Sequence, residues 1–295
     1  MQVVVIVSQE AQPQHNFHQQ LEFRRRSGMT FSKDSIQKAI VVMPSLRRPE
    51  MLALALEKLA IAKQRSQLFQ PSEFILNIFA DASDDNRFQE IEYVQKTYCP
   101  EAIVSRAHAR PSVPSGMWNI LNSLKKGYES DAELVFLIEE DVLVASDFFD
   151  WHVQAQASGD YLATCGRKLP RLPSYDKYQN PGACFKHEKL GLIVPHINDE
   201  LFRDRITYYQ KHFVNAPELS QLDDGLIRRI AKTGGHKVAY PESPKCAHIG
   251  FLAYNRYDGW LNLGDIQTRI AGLRKMLPKV NPDARYTKDF EPPID

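Results

Sequence analysis

The chain has 295 residues, 43% hydrophobic and 25% charged, with a formal net charge of +1. That is enough chain to bury a sizeable core in one large α/β domain or two small ones. The near-neutral balance gives no global pull toward nucleic acid or an acidic membrane, although Arg24-Arg25-Arg26 and the stretch from Arg167 to Lys177 are local basic spots.

The start, Met1 to Val7, has no basic flank and too short an apolar run for a signal peptide or a membrane span, and no later segment is long enough. Cys99, Cys165, Cys184 and Cys246 are widely spaced with no Cys-x-x-Cys, which suggests neither a disulfide framework nor a zinc knuckle and points to a reducing cytoplasm. Residues 1–38 hold one strand, 3–7, and read as an N-terminal extension on a single main domain, 39–295. From Ala39 the alternation is regular: strand 39–43, helix 49–64, strand 74–80, helix 86–97, short strand 102–105, helix 115–129 and strand 134–138. Strands separated by helices predict an α/β fold with a mostly parallel sheet. Beyond Trp151 the pieces shorten to a strand at 161–165, a polar loop at 166–180 long enough for a lid, and a helix at 199–212.

Leu134 to Ile138 are five consecutive apolar residues that read as a fully buried strand, and Glu139-Glu140-Asp141 follow where such a strand leaves the sheet. In open α/β sheets ligands bind beyond the carboxyl ends of the strands. The triplet therefore reads as a seat for a divalent cation, with a solvated acidic turn as the plain alternative. Val142-Leu143-Val144 returns at once to apolar chain, and Asp147-Phe148-Phe149-Asp150-Trp151 opens a helix with Ser146 or Asp147 at its N-cap. A second acidic pair, Asp223-Asp224, precedes a helix over 225–232 that Gly234-Gly235 ends. A strand at 236–240 and the segment Pro241 to Gly250, which carries His248, follow. Neither Gly-x-x-x-x-Gly-Lys nor Gly-x-Gly-x-x-Gly occurs, so kinase-like and dinucleotide-binding readings lose support.

The triplet with its Asp-Phe-Phe resembles the metal-binding segment of GT-A glycosyltransferases, in particular the Glu-Asp-Asp arrangement of the N-acetylglucosaminyltransferase I family. Leu222 to Ile230 is similar to that family's Trp-Asp-Asp segment and to the Glu-Asp box of the large inverting family of chitin and cellulose synthases. The resemblance runs patchily over residues 39–250. It implies a GT-A type, Rossmann-like, mostly parallel sheet flanked by helices, with a nucleotide-sugar half at 39–151 and an acceptor half at 152–295. It also implies metal-dependent, inverting transfer of a sugar from a nucleotide diphosphate sugar, uridine-linked by analogy, to an acceptor hydroxyl.

Carried over residue by residue, the resemblance makes Asp141 the ligand of Mn²⁺ or Mg²⁺ and His248 a second ligand through a neutral imidazole nitrogen. Asp224 becomes the base, with Asp223 beside it, although either can equally cap the helix. Around the donor it sets Ser45, Arg48, Asp81, Ser115, Gly116, Glu139 and Glu140. Arg48 offers a bidentate fork to a pyrophosphate, or is one of two surface arginines at a helix start. Asp81 accepts from a nucleobase or ribose, or forms an Asx turn. Ser115 and Gly116 lie at a helix start that favours anions, or simply begin it. Glu140 stands where the family has Asp, one methylene longer. A nucleotidyltransferase and a non-catalytic module binding glycan or nucleic acid through 166–180 are the competing readings. The acceptor stays open among a glycan, a protein side chain and a hydroxylated base in DNA, the last kept in view by Arg167, Lys168, Arg171 and Lys177; no protein partner is implied.

Overall fold

The computed structural model describes residues 3–6, 38–45, 48–66, 74–80, 85–106, 115–130, 132–167, 182–198, 222–250 and 264–276. In chain order these form β1 (Val3–Ile6), β2 (Ala39–Ser45), α1 (Pro49–Arg65), β3 (Phe74–Ala80), α2 (Asp85–Tyr98), β4 (Ile103–Arg106), α3 (Ser115–Tyr128), β5 (Leu134–Leu137), β6 (Val142–Val144), α4 (Phe148–Ser158) and β7 (Tyr161–Cys165). There follow β8 (Ala183–Lys186), α5 (His187–Leu190), α6 (Val194–Asn198), α7 (Leu222–Gly234), β9 (Lys237–Pro241), β10 (Cys246–His248) and α8 (Ile266–Met276).

Among the described residues the main sheet has eight strands in the order β1-β9-β7-β8-β5-β2-β3-β4, and β6 pairs with β10 in a small second sheet. Pairing is parallel at β2/β3, β2/β5, β3/β4 and β7/β9, and antiparallel at the remaining junctions of the main sheet. The parallel block requires crossovers, which α1, α2 and α3 supply. The central strand β2 is buried along its whole length because helices cover both faces of the sheet. Its alternation divides the core: Ala39, Val41 and Met43 pack with Leu52, Leu56 and Leu59 of α1 and Phe148 and Phe149 of α4, while Ile40 and Val42 pack with Leu121 and Leu124 of α3 and Leu226, Ile227 and Ile230 of α7. Ile270 and Leu273 of α8 join the first layer, and Arg269 pairs with Glu50 and Glu90 to tie α8 to α1 and α2. No described helix is long and apolar enough to cross a membrane. The four cysteines are buried and form no disulfide.

The expected α/β architecture with a mostly parallel sheet flanked by helices is present, and the elements from 39 to 165 fall within two residues of the sequence reading. Three features differ. The strand at 3–6 is not a bystander but the edge of the main sheet, antiparallel to β9. β8, α5, α6, β10 and α8 have no counterpart among the expected elements. The helix expected at 225–232 begins at Leu222, so Asp223 and Asp224 stand in its first turn and not at a cap. A helical Gly225 costs about 1 kcal/mol, which burial of Leu226, Ile227, Ile230 and Ala231 offsets. The expected helix end holds: Gly235 has φ 63, and His236 N–H donates to the Ala231 carbonyl at 2.9 Å. The helix at 199–212 and all but the first two residues of the loop at 166–180 lie outside the described residues.

His152 of α4 is fully buried, with Nδ1 2.7 Å from Thr164 Oγ1 and its ring edge-on to Phe136, Phe148 and Trp151. Burial, followed by the Lys245 charge, pushes its pKa well below the usual value. A histidine kept neutral in the fold contributes stability above its ordinary pKa of about 6.5, and that stability is lost as pH falls from there toward the folded value. Urea unfolding of the wild type should therefore weaken between about pH 7 and pH 5 by up to about 1.4 kcal/mol per pH unit more than that of His152→Asn. Parallel pH profiles for the two proteins would refute this role.

Candidate active site

Because β2, β3, β4 and β5 run the same way, their carboxyl ends share one edge of the sheet. The chain leaves β5 through Ile138, whose N–H donates to the Val42 carbonyl at 3.1 Å, and then turns, with Val142 N–H donating to the Glu139 carbonyl at 3.1 Å. This turn brings Glu140 and Asp141 inside, each only 1% exposed, and leaves Glu139 half-buried at the rim. β10 returns beside β6 with His248 opposite Val142, and Ile249 N–H donates to the Asp141 carbonyl at 2.8 Å. A residue over a hundred positions downstream is thereby set against the triplet.

Two buried carboxylates side by side require compensation. Arg48 supplies it: Nε donates to Glu140 Oε1 and Nη1 to Asp141 Oδ2, both at 2.7 Å. Ser45 Oγ donates to Glu140 Oε2 at 2.5 Å, and His248 Nε2 lies 3.2 Å from Asp141 Oδ2. Asp141 Oδ1 is buried and accepts no hydrogen bond from the described residues. Burial would raise the Asp141 pKa, yet the His248 hydrogen bond and the Arg48 charge override it and hold the carboxyl down at about 2. At Glu140 burial prevails over Arg48 and Ser45, and its pKa is raised. Burial opposes the Arg48 charge, but Glu140 and Asp141 more than offset it, so the guanidinium stays protonated.

Arg48 is also the N-cap of α1 and makes no side-chain capping bond; Met51 and Leu52 N–H reach its carbonyl at 3.1 Å, with Pro49 at the first helical position. A Ser or Asp there would be worth about 1 kcal/mol to the helix. The position forgoes that capping and places a guanidinium between two carboxylates.

The site extends to residues that the sequence reading did not select. Asn119, one turn into α3, donates from Nδ2 to the Ser45 carbonyl at 3.0 Å and the Phe79 carbonyl at 2.7 Å, joining the ends of β2 and β3. Ser123 Oγ donates to the Asn119 carbonyl at 2.7 Å. The signal in the sequence is a pair of polar residues four apart, Asn119 and Ser123, which share one face of the helix. Gly250 is the other: a Cβ there would collide with Asp141 Oδ2 and lie 2.7 Å from His248 Nε2. Only glycine lets the chain pass so close. Gly250→Ala should keep the fold but displace Asp141 or His248, costing roughly 10²-fold in turnover for a shift of about 1 Å; a rate within threefold of wild type, at an unchanged thermal midpoint, would show that the close approach is not functional.

Of the residues selected from the sequence, the structure brings together Ser45, Arg48, Glu140, Asp141 and His248. Ser45, Arg48 and Glu140, expected to face a donor, have polar groups engaged with one another and with Asp141. Ser115 and Gly116 open α3 a turn before Asn119, on the same edge of the sheet. Asp223 and Asp224 lie in the first turn of α7, which shares a core layer with α3. Asp81, Lys168, Arg171 and Lys177 lie outside the described residues; Arg167 follows Gly166, whose N–H donates to the Gly182 carbonyl at 2.8 Å and whose carbonyl accepts from Lys245 N–H at 2.7 Å.

No protein-family model matches the sequence, and no curated protein matches it. Among solved structures the chain is similar to the mannosyltransferase PcManGT from Pyrobaculum calidifontis in complex with GDP-Man and Mn²⁺, at 14% identity over 94% of this chain and 76% of that one, with a TM-score of 0.48. It is similar to the galactosyltransferase LgtC in complex with donor and acceptor sugar analogs, at 15% identity over 70% and 73% of the two chains and a TM-score of 0.44. It is also similar to S. aureus TarS 1-349, at 14% identity over 83% and 73% and a TM-score of 0.46. Likeness at this level leaves family and activity to the chemistry of the site.

Proposed function

We propose that the protein is a metal-dependent, inverting glycosyltransferase of the GT-A type that takes a sugar from a nucleotide diphosphate sugar, with a UDP-sugar as the first donor class. The observation that carries the reading is the unpartnered, buried Oδ1 of an ionised Asp141 at the carboxyl ends of parallel strands, with His248 beside it. Among the described residues no three His, Cys, Asp or Glu side chains gather into a metal cage. A carboxylate and an imidazole would suit Mg²⁺ or Mn²⁺ bound together with a diphosphate, and do not make a closed structural site. When bound, such a cation supplies Lewis-acid neutralisation of the departing diphosphate.

The chain's own residues then divide the work. Asp141 and His248 would hold the cation, and Arg48, bonded to Glu140, which Ser45 in turn holds, keeps Asp141 in place. Asn119 keeps the ends of β2 and β3 together beneath the donor. Asp224 takes the proton of the acceptor hydroxyl as that oxygen attacks the anomeric carbon opposite the diphosphate. In this reading residues 39–151 form the donor half, 152–295 the acceptor half and 1–38 an extension. Four buried cysteines without a disulfide support a reducing, cytoplasmic setting, and the basic residues between Arg167 and Lys177 keep a hydroxylated base in DNA among the acceptors.

A thermal-shift screen of UDP- and GDP-sugars, each with Mn²⁺ and with EDTA, tests the reading. A matched donor at a hundred times its Kd should add about 2.7 kcal/mol of stability, and only with the metal. The same shift in EDTA would remove the metal, no shift with any donor would favour a glycan- or nucleic-acid-binding module, and turnover of a nucleoside triphosphate without sugar transfer would favour a nucleotidyltransferase.

A further inference from the structure

Arg48 is placed oddly for a residue that meets a diphosphate. It is 19% exposed, and two different nitrogens of its fork are already committed, Nε to Glu140 and Nη1 to Asp141. The fork closes on exactly one oxygen of each carboxylate, Ser45 closes the other oxygen of Glu140, and His248 shares the Asp141 oxygen that Arg48 holds. One oxygen of the pair remains, Asp141 Oδ1. A cation at a helix start is also opposed by the helix dipole, and α1 gains no side-chain cap from it. Local structure therefore gives no reason for an arginine at this position. The carboxylate pair does.

Without Arg48, Glu140 and Asp141 would be two adjacent anionic ligands of the kind that hold a hard divalent cation on their own. With it, one positive charge offsets the pair and a single buried oxygen is left unpartnered. We infer that Arg48 is a positioning residue acting as a resident cation: it excludes a bare divalent ion from the Glu140–Asp141 pair and presents Oδ1 alone, so that metal is retained only together with a nucleoside diphosphate. Lysine is no substitute, because a compact ammonium reaches one carboxylate at a time whereas the planar fork spans both. The inference deepens the metal-dependent reading above and rests on it.

The test is a titration of the full chain with Mn²⁺ alone, following the electron paramagnetic resonance signal of the free ion, repeated with UDP present. Wild type should bind bare Mn²⁺ weakly and gain affinity with UDP. Arg48→Gln removes the charge but leaves an amide to bond Glu140; it should tighten bare Mn²⁺ by roughly tenfold or more, since a unit charge a few ångströms away is removed, and narrow the gain from UDP. Adding Asp141→Asn to that variant should abolish the tightening, which locates the new affinity. Arg48→Lys retains a charge in case the neutral variant does not fold, and should shift in the same direction by less. Bare-Mn²⁺ affinity equal to or weaker than wild type in every folded Arg48 variant overturns the inference. Loss of the Mn²⁺-dependent donor shift in wild type sinks the glycosyltransferase reading instead, and the bare-ion comparison is read without any donor.

Discussion

Asp141→Asn is expected to abolish turnover and to uncouple nucleotide binding from manganese while the protein stays folded. Asparagine keeps the side chain's shape but removes the charge that Arg48 and His248 face. It also offers Oδ1 only as a weak neutral ligand, and an amide nitrogen at the Oδ2 position would meet the Arg48 donor. Arg48 retains Glu140, so the buried guanidinium is not left alone and the loss of stability stays moderate. Removing an outer-shell partner of a metal site already costs about 10–100-fold, so losing the ligand itself should exceed about 10²-fold in rate. Calorimetry with UDP in Mn²⁺ and in EDTA makes the measurement. Wild type should bind far more tightly with the metal, and the variant should bind equally and weakly in both. A wild type indifferent to the chelator would remove the metal from the site.

What could be read in advance follows from how local each cause is. Val135 to Ile138 declare a buried strand because a strand covered on both faces needs an unbroken apolar run, and the acidic residues after it mark where it leaves the core. β8 gives no such signal: Ala183 to Lys186 are four residues whose partners, β5 and β7, are set by the fold and not by neighbours in sequence. Arg48 stands out only through its resemblance to a donor-binding loop, yet its partner Glu140 lies 92 residues away, and nothing near either residue announces the pair. The raised pKa of Glu140 and the lowered one of Asp141 are equally invisible from two adjacent letters, since burial acts on both and only Asp141 meets His248. Gly250 became meaningful only once β10 paired with β6 and carried the backbone against Asp141. Asp223-Asp224 before a helix at 225–232 resembles a cap, and with Leu226, Ile227 and Ile230 buried α7 starts instead at Leu222 and runs through both.

That extension sharpens the test of the base. Asp224→Asn is expected to leave donor binding nearly intact and to lower the rate by roughly 10²-fold or more, the range for losing a general base. Had Asp223 been a cap and Asp224 not, the two substitutions would have differed in stability for reasons unrelated to chemistry. Both residues follow Leu222, the first residue of α7, and an acidic residue in the first turn of a helix is generally worth about 0.3–1 kcal/mol. Asp223→Asn and Asp224→Asn should therefore lower the thermal midpoint by similar small amounts, which makes each the control for the other. A rate defect confined to Asp224 then reports proton transfer from the acceptor, and single-turnover kinetics with the donor pre-bound should place that defect in the chemical step. A larger defect at Asp223 would shift the base by one residue. Equal, small effects at both would leave the pair as a helix start alone and return the search for the base to the acceptor half.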